Sequence, residues 1–180
     1  IEDRIAQLKA IDPFNARDAE RVLLLAGDVP GLDAQLALQS AGTEPGALIG
    51  VLTVNYVPYS IITNIQNLGA RQLGREAIFS RAEFYGLTGW SDLTYIGGST
   101  TLDFEEQQIL QAGHVMGLGS SGATLGASIT HAWSEPDLGG LDLTSRALIG
   151  RLDLNLPIVR TTMDRLNVGT GFELINQKTR

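Results

Sequence analysis

From Ile61 onward, apolar and polar residues alternate along the chain with a period of two. Leu148, Gly150, Leu152, Leu154 and Leu156 fall on one side of an extended backbone, and Ile149, Arg151, Asp153 and Asn155 on the other. Leu166, Val168, Thr170, Phe172 and Leu174 repeat the pattern against Asn167, Gly169, Gly171 and Glu173. Leu125, Ala127 and Ile129 repeat it against Thr124, Gly126, Ser128 and Thr130. The pattern predicts about seven strands, over Ile61–Asn67, Arg75–Tyr85, Ser91–Gly98, Gln107–Leu118, Ala123–Ser134, Thr144–Leu156 and Arg165–Ile175. Their connections alternate in character. Gly86–Trp90, Gly119–Gly122 and Pro157–Asp164 are compact, whereas Leu68–Gly74, Ser99–Glu106 and Glu135–Leu143 are longer or more polar. Antiparallel hairpins with tight turns at one end and larger loops at the other suit an outer-membrane barrel, although alternation by itself equally allows a sandwich.

The first third has a different rhythm. Ile1, Ile5 and Leu8 share one face of a short helix. Asn15 is placed to cap a second helix over Ala16–Ala26, with Ala19, Val22, Leu23 and Ala26 turned inward. Gly27 suits a left-handed helix stop, and Val29-Pro30-Gly31 a turn into a strand over Leu32–Gln39. A turn-rich stretch, Gly42–Gly46, leads to a longer strand over Ala47–Val57. Two helices covering two strands make a small α+β unit, expected over residues 1–59 and short of one N-terminal strand. The fold class expected is that unit followed, over 60–180, by an antiparallel all-β segment.

Composition narrows the choices. Across 180 residues, 43% are hydrophobic and 18% charged, as in a folded chain. The net charge of -7 argues against nucleic-acid binding. The absence of cysteine removes disulfides, thiolate chemistry and Cys-ligated zinc. No apolar run reaches the roughly 18 residues of a membrane helix, but a barrel strand needs only about ten and hides in alternation. Aromatics near strand ends, Phe84, Tyr85, Trp90, Tyr95 and Trp133, are candidates for interfacial girdles.

Several stretches carry a family resemblance. Asn15–Gly31, ending in Asp28-Val29-Pro30-Gly31, resembles the second helix and following turn of the last POTRA domain in two-partner secretion transporters of the Omp85 superfamily, the haemolysin-activator and haemagglutinin-exporter type. Glu44-Pro45-Gly46 is similar to the family's inter-strand turn, and Asn67-Leu68-Gly69-Ala70-Arg71 with Gly74-Arg75 to its first extracellular loop. Gly86–Asp92 resembles a periplasmic turn of the family, and Leu156-Pro157-Ile158-Val159-Arg160 its Tyr-Pro-Leu-Ile-Arg turn. The family's Val-Arg-Gly-Phe/Tyr loop motif has no counterpart, since no Arg-Gly dipeptide occurs. With about sixteen strands in the family's barrel, the resemblance implies a central fragment: the last POTRA domain and the first part of the barrel.

What the resemblance implies is export of a large haemolysin- or adhesin-like exoprotein across the Gram-negative outer membrane, with a periplasmic N-terminal domain, lipid around the barrel and no cofactor. The POTRA unit would capture the partner's N-terminal secretion domain by strand addition, and Arg17, Arg21, Leu24, Leu32, Ala34, Leu36 and Leu38 are the candidate contacts. Arg81, Glu83, Arg151, Asp153, Asn155 and Glu173 fall on wet faces and are candidates for a hydrophilic path through the pore. An assembly factor of the same superfamily and a soluble all-β binding module are the alternatives.

Enzymatic readings find little support. Gly117-Leu118-Gly119-Ser120-Ser121-Gly122 has dinucleotide-loop spacing, but a strand pattern follows where a helix is required, so a hairpin turn is expected. His114 and His131 lack ligand-like companions, and Ser120-Ser121 lacks a nucleophile's context. Asp103, Glu105 and Glu106 read as a solvated loop. No catalytic, cofactor or metal residue is assigned. An isolated chain of this kind is expected to self-associate through its sheet edges.

Overall fold

The structure, a computed structural model, describes residues 2–11, 16–40, 42, 48–140 and 143–180. Two helices come first, α1 (Glu2–Lys9) and α2 (Ala16–Gly27). An antiparallel pair follows, β1 (Leu32–Ser40) and β2 (Leu48–Tyr56), with Leu36 opposite Leu52 and Ala34 opposite Val54. Helix α2 packs on β1 through its apolar stripe, and Ala19, Leu25 and Ala26 are buried. The cap expected at Asn15 and the turn Glu44-Pro45-Gly46 lie outside the described residues. Gly27 does not take the left-handed conformation expected of it. It ends the helix, and the positive φ of 74° falls on Gly31. Pro30 and Gly31 are the central residues of a turn closed by Leu32 N–H on Val29 O at 3.1 Å, a placement that suits a type II turn.

The remainder is one seven-stranded antiparallel meander in strict sequence order: β3 (Tyr59–Gln66), β4 (Ala77–Tyr85), β5 (Leu93–Thr101), β6 (Gln107–Leu118), β7 (Ala123–Ser134), β8 (Ser145–Arg160) and β9 (Arg165–Thr179). Strand bounds for β6 and β7 coincide with the sequence reading. The main departure is β8, which runs through Pro157 to Arg160, whereas the sequence places a turn over Pro157–Asp164. Proline is tolerated there because pairing with β7 stops at Asn155 and the register with β9 shifts between Pro157 and Val159, so its missing N–H breaks no ladder bond. The turn proper is Thr161–Asp164, closed by Thr161 N–H on Asp164 O at 2.9 Å.

The registers give the seven strands one mainly apolar and one mainly polar face. One face carries Ile61, Ile65, Ile78, Phe84, Ile96, Leu110, Leu125, Ile129, Leu152, Leu154, Val168, Phe172 and Leu174, and these are exposed wherever little covers them: Ile61 is 68% and Phe172 65% exposed. The opposite face carries Ser60, Asn64, Arg81, Glu83, Ser99, Gln111, Ser128, Thr130, Arg151, Asp153, Asn155 and Glu173, interrupted by Ile62, Phe79, Ile109, Ile149 and Ile175. A sheet that turns its greasy face outward has no hydrophobic core of its own and needs an apolar solvent for that face. Among the described residues no helix is long and apolar enough to cross a membrane. Strands of 8 to 16 residues are long enough on average, since a bilayer-spanning strand takes about 9–11.

Candidate functional site

The α/β unit sits against the tight-turn end of the sheet, and three turns form its seat. The chain passes directly from one sheet to the other at Val57–Pro58, where Val57 N–H donates to Gly31 O at 2.8 Å and Tyr85 N–H to Pro58 O at 2.9 Å. Tyr56 donates its hydroxyl to Tyr85 O. A side chain at Gly31 would strike the Tyr85 ring and Val57 O, so glycine serves both the positive φ and the close approach. Leu25 and Pro157 pack over Gly122 of the β6–β7 turn. A cavity of about 330 Å³ separates Val22, Leu32, Val54 and Tyr56 from Gly86, Gly89 and Gly119 of the turns.

Adjoining this cavity and sharing Leu23 and Ala34 with it, a groove of about 450 Å³ runs between the helix and β1. Its walls are Ala19, Leu23, Leu24, Ala34, Leu36 and Leu38, with Glu20, Gly27 and Arg160. Among the described residues β1 pairs only with β2, so the other edge of β1 has no strand partner there. The structure therefore brings together Leu24, Ala34, Leu36 and Leu38 of the candidate partner contacts. Leu32 faces the inter-unit cavity instead, and Arg17 and Arg21 do not line the groove. Sequence reasoning missed Glu20, Asp28 and Arg160. Arg160 is held by Asp28 in a two-pronged pair, Nε to Oδ2 at 2.7 Å and Nη2 to Oδ1 at 2.9 Å. Glu20 Oε1 accepts the Thr162 N–H at 2.7 Å.

All six candidate pore-wall residues share the polar face. Arg81 Nε lies 2.9 Å from Glu83 Oε1, and the guanidinium stacks 3.8 Å above the Tyr95 ring. Tyr95 in turn lies flat where a side chain at Gly113 would be. Glu83 also accepts the Tyr85 hydroxyl at 2.7 Å. Tyr85 and Tyr95 are thus not girdle residues as expected. They point to the polar face and, with Arg81 and Glu83, make a continuous polar strip running down to the α/β unit. Asp153 occupies the space over Gly126, 4.0 Å from Arg151, which faces Glu173 across the β8–β9 register.

The other polar residues singled out in the sequence take part in local contacts. His114 and His131 lie on the apolar face, His114 bonded to Thr94 Oγ1 at 2.8 Å and His131 edge-on to Trp133 at 3.8 Å. The glycine-rich stretch is the β6–β7 hairpin turn, with positive φ at Gly119 and Gly122. In the β5–β6 loop a hydrogen bond to Asp103 holds the Glu106 carboxyl above its ordinary range, while bonds from Thr101 and Glu106 hold Asp103 below its own. Asp92, fully buried in the β4–β5 turn, accepts Thr88 N–H at 3.0 Å, Thr88 Oγ1 at 2.7 Å and Trp90 N–H at 3.3 Å.

No protein-family model and no curated protein matches the chain. Solved structures do. The fold is similar to CdiB from Escherichia coli, with a TM-score of 0.65 and 19% identity, over 97% of this chain and 35% of that one. It is also similar to BamA from Haemophilus ducreyi lacking POTRA domains 1-3, with a TM-score of 0.58 and 11% identity, over 90% of this chain and 29% of that one. The chain spans about a third of the length of each. Its sheet has the antiparallel architecture of a section of these barrels.

Proposed function

We propose that this chain is part of an outer-membrane translocator that secretes a large partner exoprotein, with residues 1–59 a POTRA-like periplasmic unit and 60–180 the first part of the barrel. The observation that carries the reading is the sorting of faces. Seven strands in unbroken order expose an apolar band, line the other face with Arg, Glu, Asp, Asn and Ser, and seat an α/β unit at their tight-turn end. Lipid suits the first face, and a hydrated path for an unfolded passenger suits the second. The fold shared with CdiB, a two-partner secretion transporter, supports the choice of cargo. Capture requires no covalent chemistry: an extended segment of the partner adds to the free edge of β1 and sets alternate side chains into the groove beside α2.

The test uses the full-length gene product. Leu38→Asp places a carboxylate in the groove at a position already 48% exposed, so the unit keeps its fold. Export of the partner should fall at least about tenfold, matching a loss of one or two kcal/mol of binding, while the barrel still inserts. Undiminished export overturns the capture role. The similarity to BamA keeps an assembly-factor reading in view. In that case, loss of the protein would deplete other outer-membrane barrels rather than one secreted chain.

A further inference from the structure

Two charged residues line the α2–β1 groove, and both are engaged in holding the α/β unit to the barrel end. Arg160 comes from β8, yet it reaches the groove and grips Asp28 with two hydrogen bonds. Glu20 comes from α2 and accepts the backbone N–H of Thr162 in the β8–β9 turn. The other groove residues are aliphatic or glycine.

Asp28 depends on that arginine. It follows Gly27, the last residue of α2, and its own N–H bonds Leu24 O at 3.0 Å. A carboxylate at a helix C-terminus faces the negative end of the helix dipole and is disfavoured there unless a cation compensates. Arg160 is that cation among the described residues, the pair being a 2.7 Å contact with both side chains largely covered. A second carboxylate arriving in the groove would find the same guanidinium as its only cationic partner in the lining.

We propose, resting on the capture reading, that seating an extended segment on β1 and releasing α2 from the barrel end are a single coupled event, and that the segment carries an acidic side chain that takes Arg160 from Asp28. The segment's backbone bonds the β1 edge, its apolar side chains meet Leu24, Leu36 and Leu38, and its carboxylate meets Arg160. Asp28 is then left uncompensated at the helix end. Of the polar contacts between α2 and the β8–β9 end only the Glu20 bond to a turn amide is then left, so α2 lifts from the turns and the unit pivots, with its cargo, about the Tyr56–Tyr85 and Val57–Gly31 bonds. An empty groove keeps the unit docked.

The test uses the full-length protein in detergent, with the purified N-terminal secretion domain of the exoprotein whose export it supports as probe. Thr53→Cys on β2 and Met163→Cys in the β8–β9 turn, both exposed, carry spin labels without touching the latch. Electron-resonance distance measurement should show the probe lengthening the separation, as Arg160→Ala does without probe. Asp28→Ala, which frees the guanidinium, should tighten probe binding by about fivefold or more; a merely structural Asp28 would weaken it. Probe that binds with both the distance and the Asp28→Ala affinity unchanged overturns the coupling and leaves the capture reading standing. Probe that fails to bind, or that binds the Leu38→Asp variant equally well, overturns both.

Discussion

Asp92 shows how one buried carboxylate organises a turn. Burial alone would raise its pKa from the ordinary 3.8, but the hydrogen bonds from Thr88 and Trp90, with His114 nearby, outweigh burial and hold it lower. A depressed carboxylate contributes stability above its unfolded value, and that contribution is lost as pH falls through the lowered one. The protection of amides in residues 86–92, taken relative to their intrinsic exchange rates, should therefore fall on acidification below about pH 4. Asp92→Asn, which keeps the acceptor oxygen, should flatten that response. Asp92→Ala leaves the Thr88 and Trp90 N–H groups without an acceptor and should open the turn by roughly 1–3 kcal/mol at neutral pH. Asp92 was visible in the sequence only as part of a turn-like wording. Its buried acceptor role depends on a fold-back of four residues that composition does not specify. The Asp28–Arg160 pair was less visible still, since its members stand 132 positions apart and each belongs to a turn that is plausible by itself.

At the scale of elements, the strands were the most legible part. Gln107–Leu118 and Ala123–Ser134 alternate cleanly around a glycine-rich turn, and local pattern coincides with structure because neighbouring strands pair with each other. β8 was read short because proline ordinarily breaks a ladder, and only the end of β7 at this point makes Pro157 harmless. Leu25 was missed for a related reason: α2 has one stripe for β1 and another for the tight turns of the large sheet, and periodicity does not separate them. The alternation itself yields a paired prediction. Ile129→Arg, on the apolar face of β7, should cost about 2–4 kcal/mol at the bilayer midplane and reduce the folded fraction of full-length protein in heat-modifiability gels. Thr130→Arg, one residue on and facing the polar side, should leave that fraction unchanged. Equal effects would mean that the two faces do not meet different solvents.

For the molecule as a whole, the sheet ends at β3 and β9, whose outer edges have no strand partner among the described residues. With those edges and an uncovered apolar band, this 180-residue chain should self-associate in plain buffer and disperse in detergent, as sizing chromatography of both samples would report. A sharp monomer peak without detergent would contradict it. Beyond Asn155, where β7 leaves off, the β8–β9 hairpin continues alone as a two-stranded ribbon as far as Arg160. At about 3.4 Å per residue, those five residues rise roughly 17 Å along the strand. The ribbon is therefore a ruler, setting both the stand-off of the α/β unit from the end of the seven-stranded sheet and the side on which Arg160 emerges. Removing two residues from it should lower the unit by about 7 Å with the arginine still facing Asp28. Removing one would turn the arginine to the opposite face, so the distance and the orientation of the docked unit are both written in the parity of a strand.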